Sequence, residues 1–149
     1  MGELKIEGCL LTPLKKIPKT GGVVLHALKS SDIGYAGFGE IYFSSAKPGI
    51  ITDWKLHKRM TLNLVVPLGK IKFVLCDQRD GSPTFGNYIE VLLGPSHYYR
   101  LTVPPNIWVA FKGVSESESF LANIASLEHD ANEAVRAPIE AFDFDRRGD

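Results

Sequence analysis

The amino-acid sequence predicts an all-β fold, an antiparallel barrel, and three observations carry that reading. Short runs rich in Val, Ile, Leu, Phe and Tyr recur along the chain. Pro, Gly and Asp-Gly breakers separate them at short and fairly even intervals. Only one stretch carries helix signals. Breakers at regular spacing between short apolar runs mark sandwiches and barrels, in which each strand crosses a small sheet once and reverses.

The elements follow in order. Residues 1–45 hold two strand-like segments, Leu4–Leu11 and Gly22–Leu28, and the short aromatic run Ile41–Ser45, which ends at Lys47-Pro48-Gly49. Thr61–Val66 is β-rich and stops at Pro67-Leu68-Gly69. Lys70–Cys76 runs into Asp80-Gly81-Ser82-Pro83, a strong turn signal. Tyr88–Leu93 lies between Gly86-Asn87 and Gly94-Pro95, Tyr99–Val103 stops at Pro104-Pro105, and Phe120–Ser126 is the last strand. A short C-terminal helix is expected over Asp130–Val135, with Asp130 as N-cap, Glu133 three residues on as in a capping box, and Pro138 closing it. The tail after Phe144 should fray. The chain divides into N-terminal strands (1–45), a barrel core (46–126) and an acidic C-terminal segment (127–149), all within one domain.

Composition sets the limits. A chain of 149 residues, 44% apolar and 23% charged, supports one ordinary core. Its net charge of zero argues against a partner bound by phosphate neutralisation, so no nucleic acid is expected. Residues 115–149 hold nine Asp/Glu against three Arg, which leaves the preceding body basic. Cys9 and Cys76 are too few and too far apart for a disulfide framework and fit a reduced compartment. The N-terminus lacks the apolar core of a signal peptide and no run is long enough for a bilayer, so the expected location is cytoplasmic, without membrane attachment.

Chemistry concentrates between Gly49 and Gly113. Gly49, Lys55, His57, Leu62 and Gly69, then Pro104, Asn106, Val109 and Gly113, fall where two motifs of the cupin barrels (jelly rolls) place their glycines, prolines and metal ligands. Three His and one Glu hold the metal in that pattern. Here only His57 remains, with Lys55, Leu62 and Val109 at the other ligand positions. One imidazole beside an ammonium and two aliphatic side chains does not hold a divalent first-row metal. The expectation is a metal-free barrel without cofactor.

Ser82-Pro83-Thr84-Phe85-Gly86, Gly39-Glu40-Ile41-Tyr42-Phe43-Ser44, Arg59-Met60-Thr61-Leu62-Asn63-Leu64 and Leu101-Thr102-Val103-Pro104-Pro105 match further motifs in order and distance. Over roughly residues 5–145 the chain resembles the dTDP-4-dehydrorhamnose 3,5-epimerase family, cupin-type barrels without metal. The resemblance implies a nucleotide sugar as partner, dTDP-linked, and a homodimer formed through the N-terminal strands. It implies a role in deoxysugar or surface-polysaccharide synthesis, including dTDP-rhamnose and lipopolysaccharide. In the family a His removes a proton next to a 4-keto group and a Tyr on a later strand reprotonates from the other face. His57 stands at the base position. The departures are Trp54 for an Arg, Leu62 for a Lys, Val109 for a His, Ala122 for the Tyr, and Lys19-Thr20-Gly21-Gly22 for an Arg-bearing motif. With Ala122 at the acid position, exchange at one carbon with retention is expected in preference to double inversion.

His57 is therefore the candidate catalytic base, since a neutral imidazole with an unperturbed pKa near ~6.5 accepts a proton at physiological pH. Lys55, two residues away on a strand, shares its face and could stabilise an enolate oxygen. Arg59, Trp54, Asn63 and Tyr98 complete the expected substrate-binding set. Arg59 and Arg79 offer guanidinium groups for phosphate and Tyr98 and Tyr99 a replacement acid, with a solvent-facing role as the alternative for each. Trp54, like Trp108, suits core packing or an interface better. His26, His97 and His129 share no spacing. Two functions fit: a nucleotide-sugar epimerase, and a non-catalytic cupin that binds or scaffolds a sugar nucleotide.

Overall fold

Local turn chemistry determines where the strands end. After Pro67 the chain reverses through Gly69, which sits at φ +85° against Ser119, where a Cβ would collide with that side chain. Only glycine satisfies both the conformation and the approach. The computed structural model describes residues 2–142. Its strands are β1 (Gly2–Glu3), β2 (Leu10–Pro13), β3 (Lys16–Lys19), β4 (Gly22–Leu25), β5 (Glu40–Ala46), β6 (Trp54–His57) and β7 (Leu62–Leu68). They continue with β8 (Ile71–Cys76), β9 (Tyr88–Leu93), β10 (Tyr99–Val103), β11 (Trp108–Gly113), β12 (Ser119–Ala125) and β13 (Ala134–Ala137). A single 3₁₀ turn, Ile139–Ala141, follows.

Two antiparallel sheets face each other. One runs β1-β2-β10-β7-β12-β5, the other β13-β6-β11-β8-β9, and β3 and β4 form a separate hairpin. The architecture is a cupin-like sandwich: the two sheets share no strand among the described residues, where the sequence predicts a barrel. The core lies between them, with Leu64, Val66, Phe73, Leu75, Leu101 and Leu121 almost wholly buried. Period-two alternation along β7 and β8 aims these side chains inward. Each full burial stabilises the fold by about 1.5–3 kcal/mol.

The outer faces are also partly covered. Trp54, Val74, Cys76 and Ala110 lie beneath Ile139 and Phe142, outside the five-stranded sheet. Val65, Tyr98 and Ala122 lie beneath Leu14, Leu25 and Ala27, outside the six-stranded one.

Two expected elements form differently. Leu4–Leu11 contains a turn, closed by Leu4 N–H to the Cys9 carbonyl and Cys9 N–H to the Ile6 carbonyl, each at 3.1 Å. The helix expected over Asp130–Val135 is absent. Asp130 does accept hydrogen bonds, from Asn132 N–H on its side chain and Glu133 N–H on its carbonyl, but they make one turn only. The Glu133 carboxylate turns toward β6 instead of capping its own turn, and Ala134–Ala137 then pairs antiparallel with Trp54–His57. A tertiary ladder has overridden a local cap. The tail after Phe144 lies outside the described residues.

Candidate active site

Alternation along β6 sends Lys55 and His57 into a cavity of about 310 Å³ between the sheets, and Trp54 the opposite way. Lys55, His57, Phe73, Val109, Phe111 and Arg136 contribute from the five-stranded sheet. Tyr42, Ser44, Leu62, Leu64, Leu121 and Asn123 contribute from the six-stranded sheet. All four positions of the cupin ligand frame, Lys55, His57, Leu62 and Val109, thus reach one cavity. Its polar groups come from β5, β6, β12 and β13 and from Thr52 and Asp53, which precede β6.

His57 is held by a residue that sequence reasoning placed in a helix cap. Its Nδ1 lies 2.7 Å from Glu133 Oε1, and the Glu133 side chain is 1% exposed. The other carboxylate oxygen accepts the backbone N–H groups of Arg59 at 2.9 Å and Met60 at 2.8 Å. Burial pushes the Glu133 carboxyl up, but the hydrogen bonds from His57, Arg59 and Met60 outweigh it and bring it below its ordinary value. An ionised carboxylate only accepts, so Nδ1 of His57 carries the proton and Nε2 keeps its lone pair. That is the tautomer a cavity-facing base requires.

Lys55 is half-buried. Burial lowers its pKa, and Arg136, its cross-strand neighbour on β13, lowers it further, while Glu133 opposes both. On the facing sheet Asn123 donates from Nδ2 to Tyr42 Oη at 3.0 Å, directly across the β5–β12 ladder. Burial raises the Tyr42 pKa, with Glu40 adding to the effect and Arg136 opposing it.

The remaining expected substrate-binding residues lie outside the cavity lining, each for a geometric reason. Trp54 is fully buried on the outer face and donates from Nε1 to the Ile139 carbonyl at 3.0 Å. Asn63, between the inward Leu62 and Leu64, points outward and accepts from Arg100 and Thr102 through Oδ1. Tyr98 packs in the outer cluster and donates its hydroxyl to the His26 carbonyl at 2.6 Å. The Arg59 side chain is 62% exposed and pairs with Asp130 at 3.6 Å. Ala122, aligned with the family's acid, also faces outward, and its inward neighbours on β12 are Leu121 and Asn123. Among the described residues no group of three His, Cys, Asp or Glu is arranged to hold a metal.

No protein-family model matches the chain. A solved dTDP sugar isomerase from Desulfovibrio desulfuricans G20 is 38% identical, with a TM-score of 0.95, over 100% of this chain and 97% of that one. A dTDP-4-dehydrorhamnose 3,5-epimerase from Sulfolobus tokodaii shares the fold at a TM-score of 0.83 and 23% identity, over 97% and 85% of the two chains. A probable low-salt glycan biosynthesis epimerase of Haloferax volcanii is 29% identical over 83 residues, 55% of this chain. The match spans only 53% of that curated relative.

Proposed function

Because the chain belongs to the dTDP-4-dehydrorhamnose 3,5-epimerase family, we propose that it is an isomerase acting on a dTDP-linked 4-keto-6-deoxy sugar, with His57 as base. The observation that carries this reading is the buried Glu133–His57 pair, which holds an imidazole in its proton-accepting tautomer at a cavity also lined by Lys55. His57 Nε2 takes the proton from the carbon beside the ketone. The electron pair of that C–H bond moves into an enolate, and the ring becomes an imidazolium. Glu133 stabilises the new cation, as a buried carboxylate does for a catalytic histidine. The Lys55 ammonium supplies positive charge beside the enolate oxygen. Deoxysugar or surface-polysaccharide synthesis is the pathway class such a product feeds.

Solvent deuterium exchange into a dTDP-4-keto-6-deoxy sugar, followed by NMR, tests the reading. Exchange by the wild type that disappears in His57→Asn is the expected result. No exchange with any 4-keto nucleotide sugar would leave the binding-protein alternative. A thermal-shift panel of nucleoside diphosphates and nucleotide sugars identifies the ligand in either case, since a ligand at 100 times its Kd stabilises the fold by about 2.7 kcal/mol.

A further inference from the structure

The wall opposite His57 carries a polar pair that the base mechanism leaves unused. Tyr42 on β5 and Asn123 on β12 are directly paired in the six-stranded sheet and both line the cavity. His57 and Lys55 line it from the five-stranded sheet. Asn123 is 9% exposed, and its Nδ2 is committed to Tyr42 Oη at 3.0 Å. Because that oxygen accepts from Asn123, its own proton is available to another acceptor. Asn123 Oδ1 is buried without a hydrogen-bond partner among the described residues, and a buried polar atom is nearly always paired, with protein, with water or with a ligand. The pair therefore offers one donor and one acceptor to whatever fills the cavity; a sugar hydroxyl answers both, and an enolate oxygen answers the Tyr42 donor.

We propose that Tyr42, positioned by Asn123, is the proton donor on the wall facing His57 and protonates the enolate on the face that His57 does not touch. The inference rests on the reading of the cavity as a 4-keto sugar site. His57 removes the proton from one face and becomes imidazolium. The enolate electron pair then re-forms a C–H bond with the Tyr42 hydroxyl proton on the other face, leaving a phenolate. Arg136, which also lines the cavity, supplies positive charge to that phenolate. Tyr42 is 38% exposed, so solvent can return its proton and take the one on His57, and the cycle closes without a co-reactant. Burial keeps the phenol protonated between turnovers. The outcome is inversion at the exchanged carbon, where Ala122 alone implied retention. Asn123 is a positioning residue, and its free Oδ1 accepts from a substrate hydroxyl.

The experiment separates exchange from inversion. Wild type, Tyr42→Phe, Asn123→Ala and His57→Asn are incubated with a dTDP-4-keto-6-deoxy sugar in deuterium oxide, and NMR scores both label and configuration at the carbons beside the ketone. Tyr42→Phe should retain exchange within a few-fold of wild type while forming the inverted sugar about 10²-fold more slowly. Asn123→Ala should weaken substrate binding and, at saturating substrate, lower inversion more than exchange, which a merely disordered pocket would not, because disorder removes both signals together. His57→Asn should lose both. Inversion by Tyr42→Phe at the wild-type rate would overturn the assignment of Tyr42 and leave the base mechanism standing. Absence of exchange in the wild type would overturn the substrate reading and this inference with it.

Discussion

Two buried carboxylates in this protein do opposite work. Asp77, at the end of β8, is wholly buried and accepts from the Arg79 backbone N–H, from Arg79 Nε and Nη2, from the Ser82 hydroxyl at 2.7 Å and from the Thr84 hydroxyl at 2.6 Å. Arg79 also donates to the Glu7 carbonyl at 2.8 Å, and Thr84 Oγ1 accepts the Glu7 N–H at 3.0 Å. The network closes on itself and ties the N-terminal hairpin to the 77–87 loop. Glu133 is as deeply buried, yet its network ends on an imidazole whose second nitrogen remains for a ligand. Ser82 and Thr84, within the motif that carried the family resemblance, thus hold the fold. Glu133, outside the motifs that carry the family resemblance, orients the proposed base. A polar cluster with every group satisfied rigidifies, whereas one that leaves a group over is equipped to act.

Crossed substitutions should break that contrast most sharply. His57→Asn should slow exchange by about 10²–10⁴-fold with little change in Tm. Asp77→Ala should leave the cavity chemistry intact while destabilising the fold by about 2–4 kcal/mol, because it strands a partly buried guanidinium and two hydroxyls. Activity assays and urea melts on both variants decide this; a catalytic loss in Asp77→Ala beyond its unfolded fraction would refute the division.

Glu133→Gln sharpens it further. A glutamine amide donating to His57 Nδ1 would move the ring proton to Nε2, the wrong tautomer for a base. Turnover should fall about 10²-fold for a stability loss of about 1–2 kcal/mol. An unchanged rate would show that the pair is structural.

Acid should act on both carboxylates in one direction. Burial pushes the Asp77 carboxyl up, but hydrogen bonds from Arg79, Thr84 and Ser82 hold it well below the usual range, and Glu133 is lowered on the same balance. A depressed folded pKa contributes stability above the unfolded value of about 4, and that stability is lost as pH falls toward the folded value. Urea melts from pH 7 to 3 should show a plateau and then a decline below about pH 4.5, shallower in Asp77→Asn. Equal slopes in the two proteins would contradict the assignment.

The smallest expected effect concerns assembly. β5 is an outer edge of its sheet and exposes Ile41 and Phe43, and the β3–β4 hairpin, paired with no other strand among the described residues, exposes Ile17, Val23 and Val24. An open apolar edge and a two-stranded hairpin with unpaired edges favour pairing between copies. Light scattering at micromolar concentrations should give a dimer mass, and a monomer mass would end the proposal.

The strands β8, β9 and β10 were legible within one residue, because apolar runs and the Pro/Gly breakers that end them are local. The inward direction of Lys55 and His57 was equally local, a matter of period two. The same period places Trp54 opposite Lys55 and Asn63 opposite Leu62, so their position outside the cavity was equally readable. Glu133 and Tyr42 were not readable. Glu133 meets His57 76 residues away only because β13 pairs with β6, and Tyr42 meets Asn123 81 residues away only because β5 pairs with β12. Local sequence determined which side of each strand faces inward. Long-range register, set by the sum of many cross-strand contacts, decided which polar groups meet there.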